Sequence, residues 1–213
     1  MLTIEKTKTI PRNVFLSLIE TMSRKKGYQE NLVVEKAMQT FWANGFESTS
    51  LRMLEKDMGI NQFSIYSSFG SKKGLFVEVL KKYKSFVQAT FLKDLLNSKG
   101  HLDDLCCFFK AYGHGIQSGQ NPYGCLMINT GMEVGEKDPD ITFELDSHFA
   151  DLRETFYILL EKIKFNEEMP IKFDSRKYAS YLLASLQGLS LFAKFHNQKE
   201  VDDYIDTVMG SLI

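Results

Sequence analysis

Five short polar side chains lie close together between residues 61 and 68, in the sequence NQFSIYSS. Asn61, Gln62, Ser64, Ser67 and Ser68 carry amide and hydroxyl groups on short stems. Such groups on one helix face can hydrogen-bond to base edges and phosphates in a DNA major groove. The stretch therefore predicts a surface that reads nucleic acid, although a solvated helix face would have the same composition.

The residue types that most often carry catalysis or bind metals are scattered along the chain. Neither the histidines nor the cysteines fall at metal-ligand spacing, and no P-loop, G-x-S-x-G or paired-carboxylate pattern occurs. We therefore expect no enzymatic activity, no bound metal and no cofactor. The residues concerned are His101, His114, His148, His196, Cys106, Cys107 and Cys125.

The cysteines and the hydropathy also indicate a compartment. Three cysteines without a disulfide framework favour a reducing environment. No apolar run approaches the roughly 18 residues of a membrane span. Residues 1–9 mix Lys with Glu and lack the apolar core of a secretory signal. These features predict a cytoplasmic protein that does not enter membranes.

Two short helices on either side of a glycine would position the polar face. Thr49 and Ser50 can cap a helix from residue 51 to 58, and Asn61 can cap a helix from 62 to 68. Gly59 lies between them and suits a tight turn, because glycine adopts the left-handed conformation at little cost. The pair would be held together by Leu51, Leu54, Met58, Ile60, Ile65 and Phe69.

Apolar residues recur at helical spacing along most of the remaining chain, which predicts an all-α fold of about nine helices. The first helix spans about residues 29–44. The fourth is expected to run unbroken from 71 to about 97. The seventh should begin at Pro139, with Asp138 as its cap.

Charge is distributed unevenly along the chain. Residues 1–84 carry 14 Lys and Arg against 8 Asp and Glu, whereas residues 85–213 carry 12 against 19. A basic N-terminal part on an acidic body suits a protein that binds nucleic acid at one end. Chance scatter of surface charge explains the same numbers equally well.

At these residues the sequence resembles the TetR/AcrR family of transcriptional repressors. The resemblance is strongest from Val33 to Leu80, and residues 124–130 (GCLMINT) resemble a segment found in one branch of the family. The motifs that carry it are Gly45-Phe46, Thr49-Ser50, Gly59-Ile60, Ile65-Tyr66, Phe69-Gly70-Ser71-Lys72 and Leu75-Phe76.

The resemblance implies a set of DNA contacts. Thr49 and Ser50 match positions that hold a phosphate at a helix N-terminus, and Tyr66 and Lys72 match residues that contact the DNA backbone. The exposed face of the recognition helix would consist of Gln62, Phe63, Ser64 and Ser67. The basic segment Arg24-Lys25-Lys26 is either an arm that touches phosphates or a solvated tail.

Two residues depart from the family pattern. Relatives often carry a small residue at the position of Phe63, which either contacts a thymine methyl or packs inward. Many relatives have an acidic residue at the position of Gly74, which completes a capping box with the preceding serine. Its absence leads us to expect a looser start of the fourth helix and a looser Lys72 contact.

The family division implies an N-terminal arm over 1–28, a three-helix helix-turn-helix domain over 29–75, and a larger helical domain over 76–213. The last would bind a small apolar or amphipathic effector and form a homodimer. Ordinary core packing is the alternative for each residue. Candidate effector contacts are Phe91, Phe108, Phe109, Tyr112, Cys125, Met127, Phe149 and Phe156. Candidate dimer contacts are Leu182, Leu186, Leu189, Tyr204, Ile205 and Val208.

Cys125 has two interpretations. It begins the short sixth helix, whose dipole would lower the pKa of the thiol, and in regulators that resemble this chain a cysteine here can sense electrophiles or oxidants. Alternatively, it is a small buried apolar residue.

The sequence as a whole predicts a dimeric repressor that sets two recognition helices about 34–36 Å apart on a palindromic operator. A small effector would release it from this double-stranded DNA. The alternatives are an activator or corepressor-dependent regulator of the same fold and an all-helical enzyme or carrier.

Overall fold

The structure is a computed structural model that describes residues 29–166 and 168–212. Within these ranges the chain forms ten α-helices and one short 3₁₀ turn and contains no strand, which confirms the all-α fold. The segment Arg24-Lys25-Lys26, like the whole predicted arm over 1–28, lies outside the described residues.

The helices follow the sequence pattern closely at most of their ends. The first four are α1 (Glu30–Asn44), α2 (Leu51–Met58), α3 (Gln62–Phe69) and α4 (Lys72–Ala89). The middle of the chain forms α5 (Lys93–Asn97), α6 (Leu102–Gln117), α7 (Leu126–Glu133) and the 3₁₀ turn Gly135–Lys137. The last three are α8 (Pro139–Phe165), α9 (Ser175–Phe192) and α10 (Gln198–Gly210).

The first four helices pack around a cluster of aromatic rings. Phe76 of α4 lies 4.7 Å from Phe41 of α1 and 4.8 Å from Phe46 in the following loop, measured between ring centroids. Leu54 of α2 and Ile65 of α3 are fully buried against this cluster. Because each aromatic side chain buries a large apolar area, these rings help to hold the four helices together.

The predicted fourth helix is wrong in its length, because it breaks after Ala89. The Thr90 hydroxyl donates to the Phe86 carbonyl at 2.7 Å, and the Leu92 amide donates to the Val87 carbonyl at 3.0 Å, five residues back. This wider turn shifts the phase of the apolar stripe. Leu92 and Leu95 are buried beyond this turn, and α5 begins at Lys93 as a separate helix.

The body is built around α8, the longest helix. It begins where the sequence predicts, since the Asp138 carboxylate accepts hydrogen bonds from the Asp140 and Ile141 amides at 3.0 and 3.3 Å ahead of Pro139. Fully buried rings from α6 and α8, Phe109 and Phe156, meet at 6.1 Å in the centre of the body. Helices α9 and α10 close the core on its other side.

Most of the residues expected at a dimer interface contribute to the core of the single chain. All but Tyr204 are buried there. Tyr204 is half-buried, and its hydroxyl donates to the Ser185 carbonyl at 2.9 Å. The buried five are Leu182, Leu186, Leu189, Ile205 and Val208. The outward face of α9 instead presents Tyr181, Ala184, Gly188 and Leu191.

Candidate nucleic-acid interface and effector cavity

Local hydrogen bonds fix the ends of α2 and α3. The Ser50 hydroxyl accepts from the Met53 amide at 3.2 Å, and the Asn61 side chain accepts from the Ser64 amide at 2.8 Å. Gly59 between the helices adopts φ 73° and ψ 24°, a left-handed conformation that other residues adopt at a cost. The sequence therefore specifies this helix-turn-helix through short-range capping.

The turn is closed by a bond that the sequence pattern did not indicate. The Glu55 carboxylate of α2 accepts from the backbone N–H of Gln62, the first residue of α3. Leu54 and Ile65 pack beneath this bond without exposed surface. The angle between α2 and α3 is thus set by an apolar contact and a charge-assisted hydrogen bond together.

The surface of α3 brings together five of the eight candidate DNA contacts. Gln62 and Ser67 are exposed, and Ser64 is half-buried, with its carbonyl accepting from the Ser67 hydroxyl at 3.2 Å. Phe63 is 77% exposed and Tyr66 is 44% exposed. Phe63 therefore does not pack inward, which leaves one of its two predicted roles.

The remaining three candidates lie at the ends of α2 and α4. Ser50 is exposed at the start of α2. Thr49 differs from the prediction, because its side chain is fully buried and its hydroxyl donates to the Gly45 carbonyl at 2.6 Å. Its hydroxyl stabilises the turn before α2 and is not available to a phosphate.

Lys72 is tied to the same turn. Its ammonium donates to the Thr49 carbonyl at 2.8 Å and to the Glu47 carbonyl at 3.3 Å, and it lies 4.6 Å from the centroid of the Phe46 ring. An ammonium has three N–H donors, so one of them is left for a further partner. Lys72 thus links the start of α4 to the start of α2.

The start of α4 is not loosened by Gly74, contrary to the sequence-based expectation. Ser71 caps the helix through the Gly74 amide at 2.9 Å. A Cβ atom at position 74 would lie only 2.0 Å from the Phe69 carbonyl oxygen. Glycine is needed here because α3 ends directly against the first turn of α4.

Glu133 was missed by sequence reasoning altogether. This residue ends α7, and its carboxylate accepts from the Phe46 amide at 2.8 Å and from the Glu47 amide at 2.7 Å. No local pattern could have revealed a contact between residues 86 and 87 positions apart in the chain. Helix α7 therefore connects the body directly to the loop that precedes α2.

A cavity lies inside the body, between α4, α6, α7, α8 and α9. Its volume is only about 30 Å³, counted as the space that the centre of a water-sized sphere can occupy. This is roughly the room for one or two waters. Of the eight candidate effector contacts, five line it: Phe91, Phe108, Tyr112, Cys125 and Phe149. The other three, Phe109, Met127 and Phe156, are fully buried in the surrounding core and do not face the cavity.

Burial keeps the titratable groups of the cavity uncharged at neutral pH. It raises the pKa of the Tyr83 and Tyr112 hydroxyls well above their ordinary value. It also lowers the pKa of the His148 imidazole to about 4, with a smaller contribution from the Lys84 ammonium. The cavity is therefore an apolar, uncharged environment.

Cys125 does not show the lowered pKa that its place at a helix start suggested. Its side chain is buried, and desolvation raises the pKa of the thiol, although hydrogen bonds from the Ile128 and Met127 amides and from Tyr83 oppose this shift. The helix-start effect is present but smaller than the effect of burial.

Two classes of feature are missing from the described ranges. No cluster of three or more His, Cys, Asp or Glu there is arranged to hold a metal ion. Among the described helices, none combines the length and the apolar composition that crossing a bilayer requires.

Comparison with curated proteins finds bacterial regulators. The chain is 29% identical over 176 residues to the HTH-type transcriptional repressor ComR of Escherichia coli, covering 82% of this chain and 84% of ComR. It is 25% identical over 193 residues to the uncharacterized HTH-type transcriptional regulator YezE of Bacillus subtilis, covering 90% and 100%.

Solved structures show the same fold at lower identity. A cysteine mutant of the TetR family regulator CifR, complexed with 26-base-pair operator DNA, has a TM-score of 0.79 at 21% identity, covering 89% of this chain and 100% of that one. Reduced NemR of E. coli has a TM-score of 0.72 at 19% identity, covering 84% and 92%.

Family models match both parts of the chain. Residues 33–79 match the model of bacterial regulatory proteins of the tetR family, and residues 102–209 match the tetracyclin repressor-like C-terminal domain. The second match alone covers more than half of the 213 residues. The chain therefore belongs to the TetR family of transcriptional regulators, which are DNA-binding proteins and not enzymes.

Proposed function

We propose that this regulator is a homodimeric repressor that binds a palindromic operator through α3 and leaves it when a small effector occupies the body. The observation that carries the proposal is the exposed face of α3, fixed by the Asn61 cap and the Glu55 bond. The name of ComR, a repressor, and the operator complex of CifR support the same function.

In this proposal α3 lies in the major groove. Gln62, Ser64 and Ser67 would hydrogen-bond to base edges, and Phe63 would contact a thymine methyl. Tyr66 would reach the sugar-phosphate backbone at the edge of the groove. The 77% exposure of Phe63 supports this role, because it leaves the ring free to reach the groove.

Phosphate contacts would come from the elements beside α3. The backbone N–H groups in the first turn of α2, next to the Ser50 cap, have no acceptor within the helix. Such groups favour an anion. Lys72 would use its third N–H donor for a phosphate while its other two hold the turn before α2. The buried Thr49 hydroxyl has no part in this contact.

We assign DNA binding to residues 29–75 and effector binding and dimerisation to residues 76–213, with an arm over 1–28. Helix α4, over Lys72–Ala89, continues across the boundary between the first two. Its N-terminus holds the turn before α2 through Lys72, and its other end contributes Val87 to the cavity. A ligand that moves α4 would therefore change the position of α3.

The outward face of α9 is the proposed pairing surface. Ala184 and Gly188 are small and exposed, so a second helix can approach closely, and Tyr181 and Leu191 flank them with apolar surface. Two copies of this face would pack about a twofold axis, the commonest symmetry of soluble dimers. The axis would place two α3 helices on one side of a palindrome.

The test is selection of bound sequences from a random double-stranded DNA library at two salt concentrations. Wild type should enrich a palindrome with half-sites one helical turn apart and bind it more weakly at high salt. Phe63→Ala should weaken binding by roughly 1–3 kcal/mol and relax preference at one base pair of each half-site.

Phe165→Ala is the matched control, because this ring is 87% exposed at the far end of α8. It should leave operator binding unchanged. A library without enrichment, or equal effects of both substitutions, would refute the assignment of α3 as the reading helix. An effector that strengthens operator binding would identify a corepressor-dependent regulator instead of one released by its ligand.

A further inference from the structure

The cavity in the body has walls that carry no formal charge. None of the residues that line it is Asp, Glu, Lys or Arg. Rings form a large part of the wall: Phe91 meets Tyr112 edge-on at 6.3 Å, and Phe108 stacks on Tyr112 at 6.5 Å. Leu152, Leu183 and Leu186 complete it. Such edges and faces pack well against a further flat ring.

Most polar groups of the cavity are already paired with one another. The Tyr112 hydroxyl donates to the Ser190 hydroxyl oxygen at 3.1 Å, and that oxygen also accepts from the Cys125 amide at 3.2 Å. The Tyr83 hydroxyl lies next to the Cys125 thiol. The bonds among Tyr112, Ser190 and the Cys125 amide leave these three groups little capacity for a ligand.

Two lining groups keep unused hydrogen-bonding capacity. Within the described part of the chain, neither the Gln187 amide nor the His148 ring forms a hydrogen bond, although both line the cavity. His148 is only 3% exposed, and it contacts the rings of Tyr83 at 6.1 Å and Phe149 at 5.5 Å. A neutral amide and a neutral imidazole can each serve one polar atom of a ligand.

Two cations lie near the cavity without lining it: Lys84, whose charge acts on His148, and Lys194, whose charge acts on Cys125. Lys84 does not line the cavity; its ammonium pairs with the Asp151 carboxylate at 2.7 Å and donates to the Ser147 hydroxyl at 2.8 Å. An anionic ligand would therefore lose its hydration without meeting a cation in the cavity wall. A cationic ligand would meet no carboxylate in that wall, so both kinds of charge are disfavoured.

From this geometry we infer that the effector is a small uncharged molecule built on a single aromatic ring, with one oxygen-containing group held by Gln187 or His148. That binding of this molecule regulates DNA binding rests on the proposed function. The limited room favours one ring over two, because even that ring must displace wall side chains. Phe91, half-buried beside the break after α4, is placed to yield.

The test is isothermal titration of the purified full chain, without DNA, using three probes of similar size. These are 4-methylphenol, which is uncharged at neutral pH, benzoate, which is an anion, and benzylamine, which is a cation. We expect 4-methylphenol to bind about tenfold or more tightly than either ion, because the cavity offers no charge to replace lost hydration.

Charged substitutions at Gln187 make the inference sharper. Gln187→Lys should gain affinity for benzoate, and Gln187→Glu should gain affinity for benzylamine, since each supplies the missing opposite charge. Because Gln187 is half-buried, either side chain can keep part of its charge in water. Gln120→Lys, in the exposed loop after α6, is the matched control and should not change benzoate binding.

Each result is informative. Equal affinity for the three probes, no binding of any probe, or no effect of the Gln187 variants on probe preference would overturn the inference. Operator binding is measured separately on the same protein. Binding of 4-methylphenol without any change in operator affinity would uphold the cavity chemistry and refute release by the effector. Loss of sequence-specific DNA binding would refute the proposed function alone.

Discussion

Removing the Glu133 carboxylate should weaken the connection between the body and the DNA-binding helices. In the structure this carboxylate holds the Phe46 and Glu47 amides at 2.8 and 2.7 Å. It also occupies the space beside Gly45, where a Cβ atom would lie 2.8 Å from its Oε2 atom. Glu133→Ala deletes both bonds and leaves the loop before α2 without its support from α7.

The magnitude follows from the number and exposure of these bonds. A hydrogen bond to a charged group contributes about 1.5–3 kcal/mol when shielded. Glu47 is exposed and Glu133 is half-buried, so water can replace the lost partner and each bond contributes about 1 kcal/mol, below the shielded range. We expect Glu133→Ala to lower the free energy of unfolding by about 2 kcal/mol in all, a fall in Tm of roughly 4–8 °C.

Thermal and denaturant unfolding of the full chain provide the assay, with operator affinity measured in parallel. Glu133→Gln keeps one accepting oxygen and should lose about half as much stability. Glu136→Ala is the matched control, because Glu136 is exposed one turn further on and forms no hydrogen bond with the described residues. If Glu133→Ala had the same Tm as the wild type and the control, the two bonds of the Glu133 carboxylate would contribute nothing to stability.

Three further results are expected. His148→Gln should flatten the acid dependence of stability: the pKa of His148 falls from 6.5 unfolded to about 4 folded, so the wild type should lose about 2 kcal/mol between pH 7 and pH 5, measured by urea unfolding at each pH. Trp42→Phe should cost about 1–3 kcal/mol in the same assay, because the buried Gly124 carbonyl loses its donor at 3.0 Å; unchanged stability would mean that water replaces it. Ala184→Glu, on the exposed face of α9, should leave folding intact but yield monomers in sedimentation velocity, and an undisturbed dimer would exclude this face.

The sequence predicts the helix-turn-helix well because its signals are local. Ser50, Asn61 and Ser71 each cap a helix whose first residues follow directly, and each accepts the expected amide hydrogen bond. Gly59 has the left-handed conformation that a tight turn requires. None of these signals depends on residues that are distant in the chain.

Distant packing determines the features that the sequence analysis predicted wrongly or missed. The break after Ala89 contains neither proline nor glycine and is stabilised by the burial of Leu92 and Leu95. Phe108 lines the cavity and Phe109 does not, although both are phenylalanines and they are adjacent in the sequence. The fate of such residues depends on which helix packs across from them, and periodicity alone does not contain that information.

The apolar stripe of α9 illustrates the same limit. Leu182 and Leu189 mark a helix face that avoids water, and the chain's own core satisfies that face completely. The small residues Ala184 and Gly188 carry less hydrophobic signal but remain on the outside. A pairing surface made of small residues is therefore hard to distinguish from an ordinary solvent-facing one before the fold is known.

Trp42, whose indole N–H binds the Gly124 carbonyl, is the only tryptophan of the chain. Its ring lies 5.1 Å from that of Tyr83, which lines the cavity, and α1 carries it among the DNA-binding helices. Light at the red edge of protein absorption excites this ring alone. Its emission is therefore a built-in optical probe at the junction of the two domains, and displacement of Tyr83 by a ligand should change its wavelength or yield without any attached dye.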